Sequence, residues 1–228
     1  MKAGLDTKLV GLVGLASFGC IAAGALIAPP LWDAPDTGAS AQAIAAYAQD
    51  HRERLLLSLF VYGLAIALFL CFAAALAARL RSAAPRSHLW STVFLAAAVA
   101  AAALIFAAFA PASVNAYRPQ PPELALALYD MTFALLAISG FPTALLLGAF
   151  AMVVLTSRVL PPWTAWLAVL GALAHLLIAA SMLFRSGFLA LEGGVIVAVP
   201  ATFFAWILAT GAALVLCRPE PGPRPCSG

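Results

Sequence analysis

Charge is what this sequence most lacks. Of 228 residues only 9% are Asp, Glu, Lys or Arg, 64% are hydrophobic, and the mean hydropathy is +1.04. Soluble domains carry roughly a quarter charged residues and about half apolar ones. Too few charges remain to cover a water-facing surface, so lipid must be the main solvent and a separate soluble domain has no room. The central part of each long apolar run also lacks Asp, Glu, Lys and Arg, which argues against a pump built on membrane carboxylates. A Walker loop, a dinucleotide fingerprint and a GxSxG elbow are missing too. No basic patch supports nucleic-acid binding. Cys20, Cys71, Cys217 and Cys226 match no zinc or c-type haem spacing, and they are read as inert thiols. No His/Cys/carboxylate cluster offers a metal site, and one mid-membrane histidine cannot make a bis-histidine haem. No cofactor is expected. Asp33, Asp36 and Asp50 lie too far apart in one loop to form a catalytic pair.

What is present is long apolar runs. A helix needs about 20 apolar residues to cross about 30 Å of hydrocarbon. Six stretches qualify: Leu9–Ala28, Leu55–Ala78, Leu89–Ala110, Phe133–Leu155, Trp163–Phe184 and Gly194–Cys217. Lipid forbids unpaired backbone groups, so these segments must be helices, and none alternates as a barrel strand would. The expectation is an all-α bundle of six spans forming one domain over residues 1–217. The first run could also be a signal peptide, with Lys2 and Lys8 ahead of it and Ala23-Gly24-Ala25 as a cleavage site. Its continuation to Ala28 favours an uncleaved span; cleavage would leave five spans.

Lys and Arg orient the bundle. With the N-terminus inside, the cytoplasmic segments hold eight (Lys2, Lys8, Arg79, Arg81, Arg86, Arg158, Arg218, Arg224) and the outer ones four (Arg52, Arg54, Arg118, Arg185). This bias predicts both termini inside. Trp32, Trp90 and Trp163 sit near span ends, as an aromatic belt expects.

The longest outer loop runs from Pro29 to Arg54 and starts with turn formers. About residues 40–54 it reads as an amphipathic helix capped by Thr37 or Ser40, with an Asp50–Arg54 pair and Ile44, Tyr47 and His51 on one face. That helix either lies over the membrane or the bundle, or merely extends the second span. The segment from Pro111 to Pro122 predicts extended, polyproline-like chain, and the tail 218–228 predicts disorder. The Ala-rich third span should pack centrally, because small side chains admit close helix approach. Gly11, Gly14, Gly19 and Gly24 suggest packing in the first span, with a dimerisation face as the alternative.

One location stands out for chemistry. Pro142 in Ser139-Gly140-Phe141-Pro142 has no amide hydrogen for the Ile138 carbonyl, so the fourth span should kink there. His175, in the next span, falls at matching depth. A mid-membrane ionisable group invites a functional reading, and broken helices form transporter sites. The structural alternative has neutral His175 donating to the carbonyl that Pro142 frees. At the outer end, Tyr129 and Asn115 should lie near Asp130 and Glu123, two acids that precede the apolar core; Asp130 lines an outer mouth or opens a helix. Arg185 and Glu192 read as a solvated pair.

The stretch ELALALYDMTFALLAISGFPTALLLGAF, followed by LPPWTAWLAVLGALAHLL, resembles a family of multi-pass membrane proteins of high-GC bacteria grouped by a domain of unknown function. The segment HRERLLLSLFVYGLAIALFLCFAAALAARLR fits the same pattern. The resemblance implies a bacterial cytoplasmic membrane and brings no activity or catalytic residue. Three functions stay open. The bundle binds an apolar small molecule, a lipid or a partner protein; or it is a facilitator using Pro142, Ser139, Tyr129 and His175; or it is an enzyme on a lipid or isoprenoid-like substrate, with His175, Asp130 or Asn115 as acid–base groups. Membrane lipids are the expected partners, and the oligomeric state is open.

Overall fold

A computed structural model describes residues 2–29, 34–36, 38–84, 88–191 and 193–216. Thr37, Trp32, Arg86, Glu192, Cys217, Cys226 and the tail 218–228 lie outside the described residues. The chain is 85% helical, with no strand among the described residues. Six segments are long and apolar enough to cross a membrane: Thr7–Ile27, Arg52–Ser82, His88–Tyr117, Pro122–Ser157, Pro162–Leu183 and Gly194–Leu216. This is the architecture of a multi-pass membrane protein, as the apolar runs predict.

The helices are α1 (Lys2–Ile27), α2 (Ala41–Asp50), α3 (Arg52–Ala83), α4 (His88–Tyr117), α5 (Pro122–Ile138), α6 (Gly140–Ser157), α7 (Pro162–Ala180), α8 (Gly194–Ala198) and α9 (Pro200–Leu216), with a short 3-10 turn at Ser181–Leu183. The fourth span is thus α5 plus α6, interrupted at Ser139, and the sixth is α8 plus α9, interrupted at Val199. Each break lies where a proline, Pro142 or Pro200, withholds an amide from the ladder.

At 32 and 30 residues, α3 and α4 reach about 45 Å at 1.5 Å per residue and overrun the hydrocarbon. The extended chain predicted from Pro111 does not form: α4 runs through Pro111 to Tyr117, leaving only 118–121 as connection. One lost amide bond is outweighed because Pro111, Asn115 and Ala116 are buried, and Asn115 Nδ2 donates to Ala125 O of α5 at 3.1 Å. Likewise the fourth span's helix begins at Pro122, a residue suited to a first helical position, and not near Phe133. Glu123 therefore occupies the helix start, and Asp130 lies in the body of α5.

The amphipathic segment is a helix of its own. Ser40 Oγ caps it by accepting from Ala43 N at 3.2 Å, and the chain breaks at His51 before α3. Ile44 and Ala48 are buried where α2 packs over α5, so it covers the bundle end. Arg54, expected to pair with Asp50, instead donates to Ile27 O and Ala28 O at 2.9 Å each, closing the last carbonyls of α1.

The core centres on Trp206 of α9, which is fully buried. Phe150 meets it edge-on at 5.0 Å between ring centroids, Phe203 stacks on it at 5.7 Å, and Phe72 and Phe94 stand at 6.3 Å. Alanines of α4, among them Ala97, Ala98, Ala101 and Ala102, let this helix close on its neighbours. Yet the third span is not the central one. In its most apolar stretch 33% of residues are buried, against 61% for the fourth, because α6 packs against both α4 and α7. The first span joins α9 where a Cβ on Gly11 would stand 2.6 Å from Gly211 O; Ser17 Oγ donates to Ala65 O of α3 at 2.9 Å.

Candidate functional site

The break at Ser139 brings Gly140 against α7. A Cβ there would stand 2.5 Å from His175 O and 3.0 Å from Ala179 N, so the two backbones touch. Sequence position put Pro142 and His175 at matching depth, and the backbone contact places α7 at His175 beside the break. The imidazole, however, does not serve the interrupted helix. His175 Nδ1 lies 2.8 Å from Gly171 O, one turn back in its own helix, and not at the carbonyl that Pro142 frees. Its ring rests edge-on against Phe203 of α9 at 5.8 Å. Histidine on this face of α7 is therefore buried against the sixth span.

The neighbouring polar side chains behave alike. Ser139 Oγ donates to Leu136 O at 2.6 Å, Thr143 Oγ1 to Ser139 O at 2.8 Å, and Thr202 Oγ1 to Val199 O at 2.7 Å. Each returns its proton to its own helix, so none converges on His175. Ser181 Oγ, one turn beyond Ile178, is buried without a hydrogen-bond partner.

Asn115 and Tyr129, expected near Glu123 and Asp130, lie along the first half of α5, where they hold the α2 cover. Asn115 is buried, and its backbone O accepts from Gln49 Nε2 of α2 at 3.1 Å. Tyr129 OH donates to Pro35 O at 2.6 Å, tying the loop before α2 onto α5. Both act as latches for the α2 cover. Asp130 is exposed on the same helix. Ala125, which Asn115 reaches, lies fifteen residues from Gly140 along the fourth span, about 22 Å at 1.5 Å per residue. Asn115 and His175 therefore belong to separate regions, and a pocket combining them does not assemble. Among the described residues no three His, Cys, Asp or Glu side chains stand together as a metal site would require. Cys20 and Cys71 are free thiols.

Sequence reasoning missed a cleft between α6 and α7. It is an open surface groove of about 540 Å³, lined by Phe141, Leu145, Met152 and Leu155 on α6, Leu173 and Leu176 on α7, and Trp90 of α4. Its floor includes Gly148, where an added Cβ would meet nothing within 4 Å. The signal was in the spacing: Phe141, Leu145, Gly148, Met152 and Leu155 recur at helical three- and four-residue intervals, so they share one face of α6. A glycine amid large apolar residues on such a stripe marks a hollow. Trp206 was missed as well, although tryptophan favours span ends and this one stands mid-span. The chain matches no family model, no curated protein and no solved structure.

Proposed function

We propose that this chain is a bacterial cytoplasmic-membrane protein that holds an apolar ligand, of the lipid or isoprenoid kind, in the cleft between α6 and α7. The observation that carries the reading is the cleft itself: about 540 Å³, apolar, and deepened by Gly148. Ligand sites commonly measure about 300–1,000 Å³ and are lined mainly by apolar and aromatic groups. Phe141, Leu145 and Leu173 are more than half exposed along it, so a chain-like molecule can enter sideways from the bilayer. The cytoplasmic membrane is proposed on the resemblance to bacterial multi-pass proteins, and both termini are placed inside on the eight-to-four distribution of Lys and Arg.

Lipid-resolved mass spectrometry of the purified protein tests the ligand. Gly148→Leu fills the hollow without a backbone clash, so it should abolish a retained apolar molecule and leave the fold intact. Retention of the same molecule by that variant would overturn the proposal. Orientation is tested with alkaline phosphatase fused to the C-terminus, which stays inactive when that end is cytoplasmic.

One observation favours a facilitator as a second reading. Two spans are interrupted, at Ser139 and Val199, and both flank the part of α7 that carries His175; interrupted helices build transport sites. Against it, the polar groups there bond within their own helices. The enzyme reading needs at least two converging polar groups, and Asn115, Asp130 and His175 are distributed along the bundle.

A further inference from the structure

At the end of the bundle that carries α2, two arginines share one aromatic ring. The guanidinium carbon of Arg52, the first residue of α3, lies 5.9 Å from the Tyr117 ring centroid, and that of Arg118 lies 5.6 Å from it. Cations rest favourably on an aromatic face, but two like charges on one ring also repel each other. Among the described residues neither guanidinium has a carboxylate partner. Beside Tyr117 opens a second cleft of about 510 Å³, lined by Leu56 of α3, Val114 and Ser113 of α4, and the connection residues Arg118, Pro119 and Gln120. Gln120 Nε2 donates to Val114 O at 3.3 Å and to Arg118 O at 3.1 Å, which fixes the rim of the cleft over the end of α4.

Position supplies the rest. Arg52 begins the second span and Tyr117 ends the third, so the pair stands at a membrane–water boundary. Leu56 and Val114 lie about one turn deeper, on the hydrocarbon side. Below them the α3–α4 seam presents Phe60, Leu64 and Phe106, which are 65%, 47% and 41% exposed, and Gly63 faces Phe106 across the seam. The cleft thus joins the Arg118 guanidinium, with Arg52 against the same Tyr117 ring, to an apolar groove that runs toward the hydrocarbon.

We infer that the cleft at Tyr117 and Arg118 is a binding site for an anionic phospholipid, its phosphodiester held by Arg118 with Arg52 adding charge from the same ring, and an acyl chain along the α3–α4 seam. Arginine suits phosphate because its planar fork matches the oxygens. A zwitterionic headgroup would bring its own ammonium toward two cations, so a phosphatidylglycerol-type lipid is preferred over phosphatidylcholine. This site does not rest on the α6–α7 cleft and lies on different helices.

Native mass spectrometry of the full-length protein, delipidated in detergent and titrated with dioleoylphosphatidylglycerol or dioleoylphosphatidylcholine, tests the site. Each basic side chain near a membrane surface contributes modestly, so Arg52→Gln with Arg118→Gln should weaken phosphatidylglycerol binding by about tenfold or more. Phosphatidylcholine binding should not change. Arg158→Gln, at the other end of the bundle, and Gly148→Leu should both leave phosphatidylglycerol affinity unaltered. Undiminished phosphatidylglycerol binding by the double variant overturns the inference, and so does an equal loss in Arg158→Gln. Both target side chains are exposed; should the double variant fail to fold, Arg118→Gln alone carries the same test. Displacement of the lipid by millimolar inorganic phosphate would also overturn it, since the acyl groove would then contribute nothing.

Discussion

Replacing Gly140 and Gly148 by alanine, one at a time, tests the packing of the fourth and fifth spans. Both glycines lie on α6, eight residues apart. A methyl group on Gly140 would stand 2.5 Å from His175 O and 3.0 Å from Ala179 N, both backbone atoms that cannot rotate away. Comfortable non-bonded contacts of carbon lie near 3.5 Å or beyond, so α6 and α7 would have to part by about 0.5–1 Å. Overpacking of this kind costs about 1–3 kcal/mol. A methyl on Gly148 meets nothing within 4 Å, and alanine there gains up to about 1 kcal/mol of helix preference. That preference is gained at either position of α6, so the overpacking remains as the difference and Gly140→Ala should be less stable than Gly148→Ala by about 1–3 kcal/mol. At about 1.4 kcal/mol per tenfold change, the folded-to-unfolded ratios should differ by about fivefold to a hundredfold or more. Reversible unfolding in mixed micelles, titrated with SDS and followed by tryptophan fluorescence, measures it. Equal stability of the two variants, or a more stable Gly140→Ala, would refute the close approach of α6 to α7 at His175.

Three further substitutions probe the rest of the bundle. Trp206→Ala removes the ring on which Phe72, Phe94, Phe150 and Phe203 converge and should cost about 3–5 kcal/mol in the same unfolding assay; a loss under about 1 kcal/mol would place the core elsewhere. Tyr129→Phe deletes the hydroxyl that donates to Pro35 O, a bond of about 1 kcal/mol. Limited proteolysis should then cut residues 34–40 faster, with the spans still protected, and an unchanged rate would refute the latch. His175→Leu removes a bond to Gly171 O within one helix and should stay within about 1 kcal/mol of the parent. Unaltered retention of the apolar ligand by this variant supports the structural role of His175, whereas its loss, or loss of transport in vesicles, revives the facilitator.

The polar side chains illustrate how much of the site was legible. Pro142 announced an interruption because proline has no amide hydrogen, and that holds in any packing. The partner of His175 could not be read in the same way. Gly171 O one turn back, or a carbonyl across the helix interface, would each satisfy the imidazole, and only the rotation of α7 against Phe203 selects the first. Arg54 is a parallel case. Spacing offered Asp50 four residues away, yet the end of α1 brought two unpaired carbonyls within 2.9 Å. A guanidinium near the membrane boundary is better used on backbone acceptors with no other partner than on an exposed, hydrated carboxylate.

By itself the sequence determined the solvent, and with it the helical class and the six spans. Charge at 9% and six long apolar runs leave lipid as the only medium, and lipid admits only backbone that satisfies itself. Tertiary structure decided where each helix stops and what each small residue is for. Pro111 lies inside a helix because Asn115 and Ala116 are buried beyond it. Gly11, Gly140 and Gly148 are the same residue in the sequence. The first two admit a neighbouring backbone and the third opens a hollow, a difference set by which helix face meets a neighbour.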